Sequence, residues 1–379
     1  MPGALDGVLV ADFSRVLAGP YATMLLADLG ATVIKVERPG AGDDTRAWGP
    51  PYAADGQSTY FHSVNRNKRS LALDIGEPAD QRIAQRLAER ADIVIENFKP
   101  GALTRYGLDY QSVNANNPSV IYCSISGFGT GGGADLPGYD LLVQAMGGLM
   151  SITGTDEPTK AGVAVVDVLT GLHATVAILA ALRHRELTSE GQLLEVSLLS
   201  SLLSSLVNQA SGYIGAGVVP TYLGNAHPSI SPYEVYQTAD RPLVIAVGND
   251  SQFAALAVAI DSPGLVTDTR FATNPARVAN RSVLANELTI ALATHGADHW
   301  RQVLTAVGVP CGPINDISQA FALATELGLD PVATFNHDGT LPKQVANPVR
   351  YSSTPITYRL GPPTVGQDNA AIFAELGFS

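Results

Sequence analysis

The sequence predicts an α/β protein built around a parallel β-sheet. Near its start, the apolar and β-branched stretch Gly7–Phe13 has the length of a buried strand and is bounded by turn-forming residues. The stretch RVLAGPYATMLLADLG then predicts a turn and a helix ending at Gly30, because glycine is favoured just after the last helical residue. Ala31–Glu37 predicts a second strand. Strand, helix and strand within about thirty residues form a βαβ unit, which makes the two strands parallel with a right-handed crossover.

The middle of the chain continues this alternation. A helix is expected from about Ala79 to Arg90, and a long apolar helix is expected over Ser197–Ile214. Further strands are expected at Asp92–Glu96, Ser119–Ile125 and Gln192–Val196. Parallel sheets of this kind bind ligands beyond the carboxyl ends of their strands. The turn after the first strand lacks G-x-G-x-x-G, which argues against a nicotinamide dehydrogenase.

The composition changes around residues 215–232, where Gly, Pro, Ser and Asn are frequent. Such a stretch indicates loops and a domain boundary. The residues after it predict a smaller α+β unit, and the closing helix AAIFAELGF is expected to return to the first domain. We therefore expect a large domain over residues 1–215 plus 330–379 and a small domain over residues 225–320, joined by linkers.

Composition also argues against several classes of function. The net charge of −12 is unlike that of a nucleic-acid binder, whose binding face is basic. Two cysteines cannot form a disulfide framework, and MPGALDGVLV has no basic region followed by an apolar segment, so we expect no signal peptide and a reducing, cytoplasmic setting. Apolar runs such as Val163–Leu182 are interrupted by Asp, His and Gly, so no membrane association is expected. His295 and His299 lack the glutamate of an H-E-x-x-H motif, so no metal site is expected.

Basic side chains are expected at loops or helix starts that follow predicted strands, where they would suit phosphate binding. They are Arg38, Lys68, Arg69, Lys99 and Arg105. For any one of them, the alternative is an ordinary solvated surface charge, since most Arg and Lys side chains lie on the surface.

The stretch Leu136–His173 places a carboxylate, Asp167, where a β-branched segment gives way to a helix. One use of such a carboxylate is to cap the helix by accepting hydrogen bonds from its first N–H groups. The other is to present a reactive oxygen at a ligand crevice, close to the helix N-terminus. Capping is the commoner role, so a reactive role needs support from the rest of the chain.

That support comes from a resemblance to the CaiB/BaiF family, the class III CoA-transferases. The motifs that resemble it lie in one order along nearly the whole chain: DFSRVLAGPYATMLLADLGATVIKVERPGAGDDTR, NRNKRSLALD, IENFKPGALTRYGL, SGFGTGG, LPGYDLLVQAMGGLMSITG, VVDVLTGLHA, GNAHPSISPY, VPCGPIN and the closing ELG. The resemblance implies a Rossmann-like large domain with a smaller α+β domain. It also implies an interlocked homodimer of ring-like subunits.

The same resemblance implies roles for individual residues. Asp167 matches the catalytic aspartate, and Tyr139 and Asp140 match positions beside the acyl group. Positions that match the family's CoA contacts are Val16, Leu17, Ala18, Arg38, Leu73, Asn97, Phe98 and Arg105. The implied substrates are an acyl-CoA and a small carboxylic acid, with no cofactor beyond CoA itself. The sequence leaves the donor and the acceptor open, and general resemblance to succinyl-CoA-dependent members makes succinyl-CoA or another dicarboxyl-CoA one candidate donor.

The implied reaction transfers CoA through two covalent forms of Asp167, an aspartyl mixed anhydride and an aspartyl-CoA thioester. Two alternatives stay open. An α-methylacyl-CoA racemase is one, although racemases of the family pair the acid with a histidine where this chain has Tyr139. A non-catalytic CoA-binding protein is the other. In addition, oxalate-handling members carry a glycine-rich loop where this chain has a segment starting at His227, which could contact substrate or order the loop.

Overall fold

We describe the protein from a computed structural model, which describes residues 2–333, 335 and 343–378. The chain divides into two compact units. Unit 1 comprises residues 1–149, 161–218 and 329–379, and unit 2 comprises residues 150–160 and 219–328. The predicted boundaries, residues 1–215 plus 330–379 for the large domain and 225–320 for the small one, stay a prediction.

Eleven strands are formed by the described residues. They are β1 (Leu9–Asp12), β2 (Thr32–Glu37), β3 (Lys68–Ala72), β4 (Ile93–Glu96), β5 (Ile121–Ser126), β6 (Gln192–Ser197), β7 (Tyr233–Gln237), β8 (Pro242–Ala246), β9 (Cys311–Pro313), β10 (Val332–Ala333) and β11 (Gln344–Val345).

Fifteen α-helices are formed by the same residues. They are α1 (Ala18–Asp28), α2 (Thr59–Ser63), α3 (Pro78–Arg90), α4 (Tyr110–Asn116), α5 (Asp140–Met146), α6 (Val165–Thr188), α7 (Leu198–Ser205), α8 (Val207–Ala216), α9 (Asp250–Ala259), α10 (Gly264–Thr267), α11 (Asn274–Ala279), α12 (Arg281–Leu292), α13 (Ala297–Ala306), α14 (Ile317–Glu326) and α15 (Asn369–Leu376).

Unit 1 is built on a six-stranded parallel sheet with the strand order β3-β2-β1-β4-β5-β6. The α/β class and the strands predicted near residues 7–13, 31–37, 92–96, 119–125 and 192–196 are confirmed. The order of strands reverses between β1 and β4, as in a Rossmann-like sheet. Ligands bind such sheets at this reversal, beyond the carboxyl ends of the strands.

Helices cover both faces of the sheet. Apolar side chains of α1, α6 and α7 form one core with the strands, and those of α3, α4 and α15 form the other. Successive residues of β1 serve the two cores, because Val10 points to the first and Ala11 to the second. Strands buried on both faces are apolar without alternation, which is why these segments are recognisable in the sequence.

Two segments differ from the sequence prediction. Lys68 and Arg69 lie within β3 rather than in a loop, and β3 was not predicted because its buried Lys68 and Ser70 break the apolar pattern. The helix predicted over Ser197–Ile214 is two helices, α7 and α8, which meet at Leu206. Val207 at this junction has a φ of 42°, outside the helical range.

Unit 2 has a three-stranded antiparallel sheet in the order β7-β8-β9. Side chains of the sheet and of α9, α12 and α13 form its core, which includes Tyr236, Phe253 and Trp300. This is the smaller α+β unit that the sequence predicts.

Helix α6 is long and apolar enough to cross a membrane, alone among the helices of residues 2–333, 335 and 343–378. Length and composition are a weak indication, since core helices often satisfy both. Its residues Val166, Ala174 and Ile178 are fully buried in the core that α1 shares.

Candidate active site

A cavity of about 420 Å³ lies beyond the carboxyl ends of β1, β4 and β5, where the order of strands reverses. It brings together eight of the eleven site residues that the sequence predicts. They are Val16, Leu17, Ala18, Asn97, Phe98, Tyr139, Asp140 and Asp167. The loops after β1 and β4 and the starts of α5 and α6 supply these residues.

The other three predicted residues, Arg38, Leu73 and Arg105, line a second cavity of about 250 Å³. Phe98 borders both cavities, and so does Arg15, which the sequence analysis did not select. The second cavity combines three guanidinium groups with the apolar side chains of Phe13, Leu73, Ile75 and Phe98. Such a cavity suits a nucleotide, because the cationic groups can bind its phosphates and the apolar side chains can pack against its base.

Asp167 is the third residue of α6, and its part-buried side chain lines the first cavity. It does not occupy the capping position, which belongs to Ala164. Burial raises the pKa of its carboxyl from the ordinary 3.8 to about 7, and the charge of Asp140 adds to the increase. The carboxyl is therefore only partly ionised near neutral pH.

Asp140, and not Asp167, accepts the hydrogen bonds at the start of α6. Its Oδ1 accepts hydrogen bonds from the N–H groups of Val166 at 2.8 Å and Asp167 at 3.3 Å. These are N–H groups of the first turn of α6, which have no partner within the helix. Asp140 thereby connects the start of α5, where Tyr139 is exposed in the cap position, to the start of α6.

The loop after β1 is held by polar side chains. The Asn97 side chain accepts a hydrogen bond from the N–H of Arg15 at 2.8 Å and donates one to its carbonyl oxygen at 2.7 Å. Val16 has a φ of 69°, a left-handed conformation that is rare for a β-branched residue. The Asp43 carboxylate accepts the Val16 N–H at 3.2 Å and so stabilises this conformation.

Two lysines are buried beneath this loop. Lys35 Nζ lies 2.9 Å from the Asp43 carboxylate and donates to the carbonyl oxygen of Ser14 at 2.9 Å. Lys68 Nζ lies 3.2 Å from the carboxylate of Asp12. Burial lowers the pKa of Lys68 to about 8, although Asp12 opposes this decrease. Lys68 is therefore an internal ion-pair partner rather than a phosphate ligand.

The remaining basic residues have different surroundings. Arg69 pairs with Glu375 at 2.8 Å, at the edge of the sheet. Lys99 pairs with the exposed Asp135 at 2.7 Å beside the first cavity. The Arg105 guanidinium lies 4.6 Å from the ring centre of Tyr106 in the second cavity.

The sequence analysis missed Tyr60 of α2. Tyr60 packs against the same small apolar cluster as Ala164 and Val168, which lie on either side of Asp167 in the chain. Burial raises the pKa of Tyr60 to about 12, and the charge of Asp167 adds to the increase. The hydroxyl is therefore protonated at neutral pH. No motif marks this residue, since a tyrosine in a short helix is usually a packing residue.

In unit 2, the Nδ1 atom of His227 accepts a hydrogen bond from the N–H of Ser229 at 3.1 Å. His227 therefore orders its own loop, which is one of the two roles considered for it. In the neutral ring the proton is then on Nε2. His295 and His299 stack with ring centres 4.1 Å apart, and no third metal-ligating side chain joins them within the described residues.

Comparison with known proteins identifies the family. The model of CoA-transferase family III matches residues 5–369. The chain belongs to this family. It is 46% identical to a succinate–glutarate CoA-transferase of Agrobacterium fabrum over 98% of this chain and 95% of the relative. It is 43% identical to a succinyl-CoA:glutarate CoA-transferase of Mus musculus, over 98% of this chain and 86% of the relative.

A solved structure supports the same assignment. The CaiB/BaiF family protein of Brucella suis superposes with a TM-score of 0.88 and 42% sequence identity, covering 99% of this chain and 100% of that one. This class III CoA-transferase is thus an enzyme that acts between an acyl-CoA donor and a carboxylate acceptor. The predicted family, fold class and enzyme class are confirmed.

Proposed function

We propose that the enzyme transfers CoA through covalent intermediates on Asp167. The carboxylate attacks the thioester carbonyl of the acyl-CoA, the C–S bond breaks, and CoA leaves as a thiolate with the bonding electrons. The product is a mixed anhydride of Asp167 and the acyl group. The thiolate then attacks the aspartyl carbonyl, the donor acid leaves as a carboxylate, and an aspartyl-CoA thioester is formed.

The acceptor acid reverses these steps. Its carboxylate attacks the aspartyl-CoA carbonyl and releases the thiolate, which attacks the acyl carbonyl of the new anhydride. Acyl-CoA of the acceptor forms, and the Asp167 carboxylate is regenerated. No proton is gained or lost over the cycle, and no atom changes its oxidation state.

One observation carries the proposal: Asp167 lies at the cavity where the sheet reverses its strand order, with a pKa raised to about 7 by burial and by Asp140. A carboxylate in such surroundings is less solvated and more basic than one in water, so it is a stronger nucleophile. Gly127 and Gly133 of the loop after β5 line the same cavity, and we propose that backbone N–H groups of this loop face the reacting carbonyl. Such groups stabilise developing oxyanions, typically by about 3–4 kcal/mol for each donor.

We assign the second cavity to the nucleotide end of CoA. Its three guanidinium groups, on Arg15, Arg38 and Arg105, suit the phosphates, and the apolar side chains suit the adenine ring. Since Phe98 and Arg15 border both cavities, a CoA molecule that spans them would extend its thiol towards Asp167.

We further propose succinyl-CoA as the donor and a five-carbon dicarboxylic acid such as glutarate as the acceptor. The relatives from Agrobacterium fabrum and Mus musculus carry the names of these substrates, and each matches 98% of this chain. The segment from His227 replaces the glycine-rich loop expected for oxalate-handling members, which argues against formyl-CoA:oxalate transfer.

The implied homodimer is part of the proposal. Helices α6 and α8 expose a set of large apolar side chains, which a monomer would leave in water: Leu172, Val176, Leu179, Leu187, Val207, Tyr213 and Ile214. Large apolar patches of this kind mark protein interfaces. We expect sedimentation to give a dimer, and Val176→Glu to shift it towards the monomer. We also propose a cytoplasmic location, with Cys123 and Cys311 as free thiols.

The decisive experiment is intact-protein mass spectrometry after mixing with succinyl-CoA and no acceptor. We expect a CoA adduct that maps to the peptide containing Asp167 and that is absent in Asp167→Asn. Proton exchange at the carbon next to the thioester in deuterated water, without an adduct, would instead establish the racemase. Binding of CoA with neither an adduct nor proton exchange would instead indicate a non-catalytic CoA-binding protein.

A further inference from the structure

The side chain of Gln144 is completely buried, and both of its polar atoms form hydrogen bonds. Its Nε2 donates to Asp140 Oδ2 at 2.6 Å, and its Oε1 accepts the N–H of Ala161 at 2.8 Å. Asp140 and Gln144 lie four residues apart in α5, so they share one face of the helix. This face is directed towards the segment that precedes α6.

The contacts of Gln144 and Asp140 form a continuous chain. Gln144 holds Ala161, and Asp140 holds the N–H groups of Val166 and Asp167. The two ends of residues 161–167 are therefore attached to α5 through a single pair of side chains. Ala164, at the cap position of α6, has no side-chain group that can serve these amides.

We propose that Gln144 is a positioning residue, which orients the Asp140 carboxylate and fixes residues 161–167 so that Asp167 is held at the cavity. The inference rests on the proposed role of Asp167 as the reacting carboxylate. Without Gln144, Asp140 Oδ2 would lose the hydrogen bond from Nε2, and the Ala161 N–H would lose its hydrogen bond to the side chain of α5. Displacement of a reacting group by about 1 Å costs of the order of 100-fold in rate.

The order of donors and acceptors explains why the residue is a glutamine. The side chain must donate to Asp140 and accept from Ala161, and an amide provides one group of each kind. A glutamate has the same length but only acceptors when ionised, so it would oppose the Asp140 carboxylate. The arrangement therefore predicts that exchanging the acid and the amide between the two positions restores it.

The test is a double-variant cycle of Asp140→Asn and Gln144→Glu, with kcat and KM measured at a pH well above 7. Gln144→Glu sets an acceptor against an acceptor, and Asp140→Asn sets a donor against a donor. We expect each change alone to lower kcat about 10- to 100-fold, with the KM for acyl-CoA changed less than about threefold. The double variant restores one donor and one acceptor at each contact, and we expect it to recover at least about tenfold over the poorer single variant.

A double variant no faster than the poorer single variant would refute the inference. So would a wild-type kcat in Gln144→Glu. A structural role alone would change the free energy of unfolding of the variants and leave the kcat of the folded enzyme unchanged. If the wild-type enzyme forms no Asp167 adduct, the proposed mechanism fails. The role of Gln144 is tested separately, because the recovery of kcat in the double variant is measured on overall turnover and not on the adduct.

A second measurement reads the geometry directly. Gln144→Met removes both hydrogen bonds, and we expect faster hydrogen exchange at the amides of residues 161–167, with the interior of α6 unchanged. The matched control is Asn117→Leu. Asn117 is also an amide that donates, to Ala91 O at 2.8 Å, and accepts, from Ser119 Oγ at 3.0 Å, but it lies at the amino end of β5. Unchanged exchange at residues 161–167 in Gln144→Met would contradict the inference.

Discussion

Substitution of Asp167 by asparagine tests the electrostatics of the site, because it removes the charge and keeps the shape. Burial and the charge of Asp140 raise the pKa of this carboxyl from 3.8 to about 7 in the folded protein. One pKa unit corresponds to about 1.4 kcal/mol, so the ionised side chain lowers the free energy of unfolding by at most about 4 kcal/mol above pH 7. We expect Asp167→Asn to raise the free energy of unfolding by about 2–4 kcal/mol above pH 7.

The sign of the effect fixes its pH dependence. Below about pH 4 the carboxyl is protonated in the folded and unfolded states, so wild type and variant should be equally stable. Between about pH 4 and 7 the unfolded state ionises while the folded state resists ionisation, and the advantage of the variant grows. Above the folded pKa, which is about 7, the advantage is constant.

Scanning calorimetry at several pH values measures this difference, with roughly 1–2 °C in the unfolding temperature for each kcal/mol at this chain length. Asp135→Asn is the matched control, since a hydrogen bond from Lys99 lowers the pKa of this exposed carboxyl. It should give no stabilisation at any pH. The reasoning about Asp167 is wrong if its substitution destabilises the protein at pH 8, or stabilises it equally at every pH.

Three further outcomes follow from the same geometry. Gly171→Ala would normally stabilise a helix by about 1 kcal/mol. Here, however, the added Cβ would lie 2.7 Å from the carbonyl oxygen of Ala18, so we expect the free energy of unfolding to fall by about 1–3 kcal/mol. A rise in unfolding temperature would contradict this. Lys35→Met leaves the buried Asp43 carboxylate without its cation, so calorimetry should show a loss of about 3–5 kcal/mol, and a neutral result would disprove a tight ion pair. In single-turnover assays, adduct formation on Asp167 should fall about tenfold per pH unit below pH 7 and be constant above it, whereas a flat profile would exclude the raised pKa.

The parallel sheet could be predicted from the sequence because its strands are apolar over their whole length. β3 could not, since the residue that makes Lys68 acceptable in a buried strand is Asp12, 56 positions earlier in the chain. The break between α7 and α8 at Leu206 also has no local signal, because neither glycine nor proline stands there.

The candidate site shows the same division. Motif resemblance selected Asp167 and ten of the residues that line the two cavities, since those motifs occur in one order along the chain. It did not select Gln144, Asp43 or Tyr60. Each of them acts on or lies beside the site through contacts across the fold rather than along the chain.

The sequence by itself determined the α/β class and the family, and its motifs selected Asp167 as the proposed reacting acid. Those depend on local apolar patterns and on motifs that can be read in order along the chain. Only the tertiary structure decided whether Asp167 caps its helix or lies free to react, because Asp140, 27 residues earlier, accepts the hydrogen bonds of that helix start. The raised pKa was likewise decided by folding, because desolvation and a neighbouring charge arise only when distant residues are brought together.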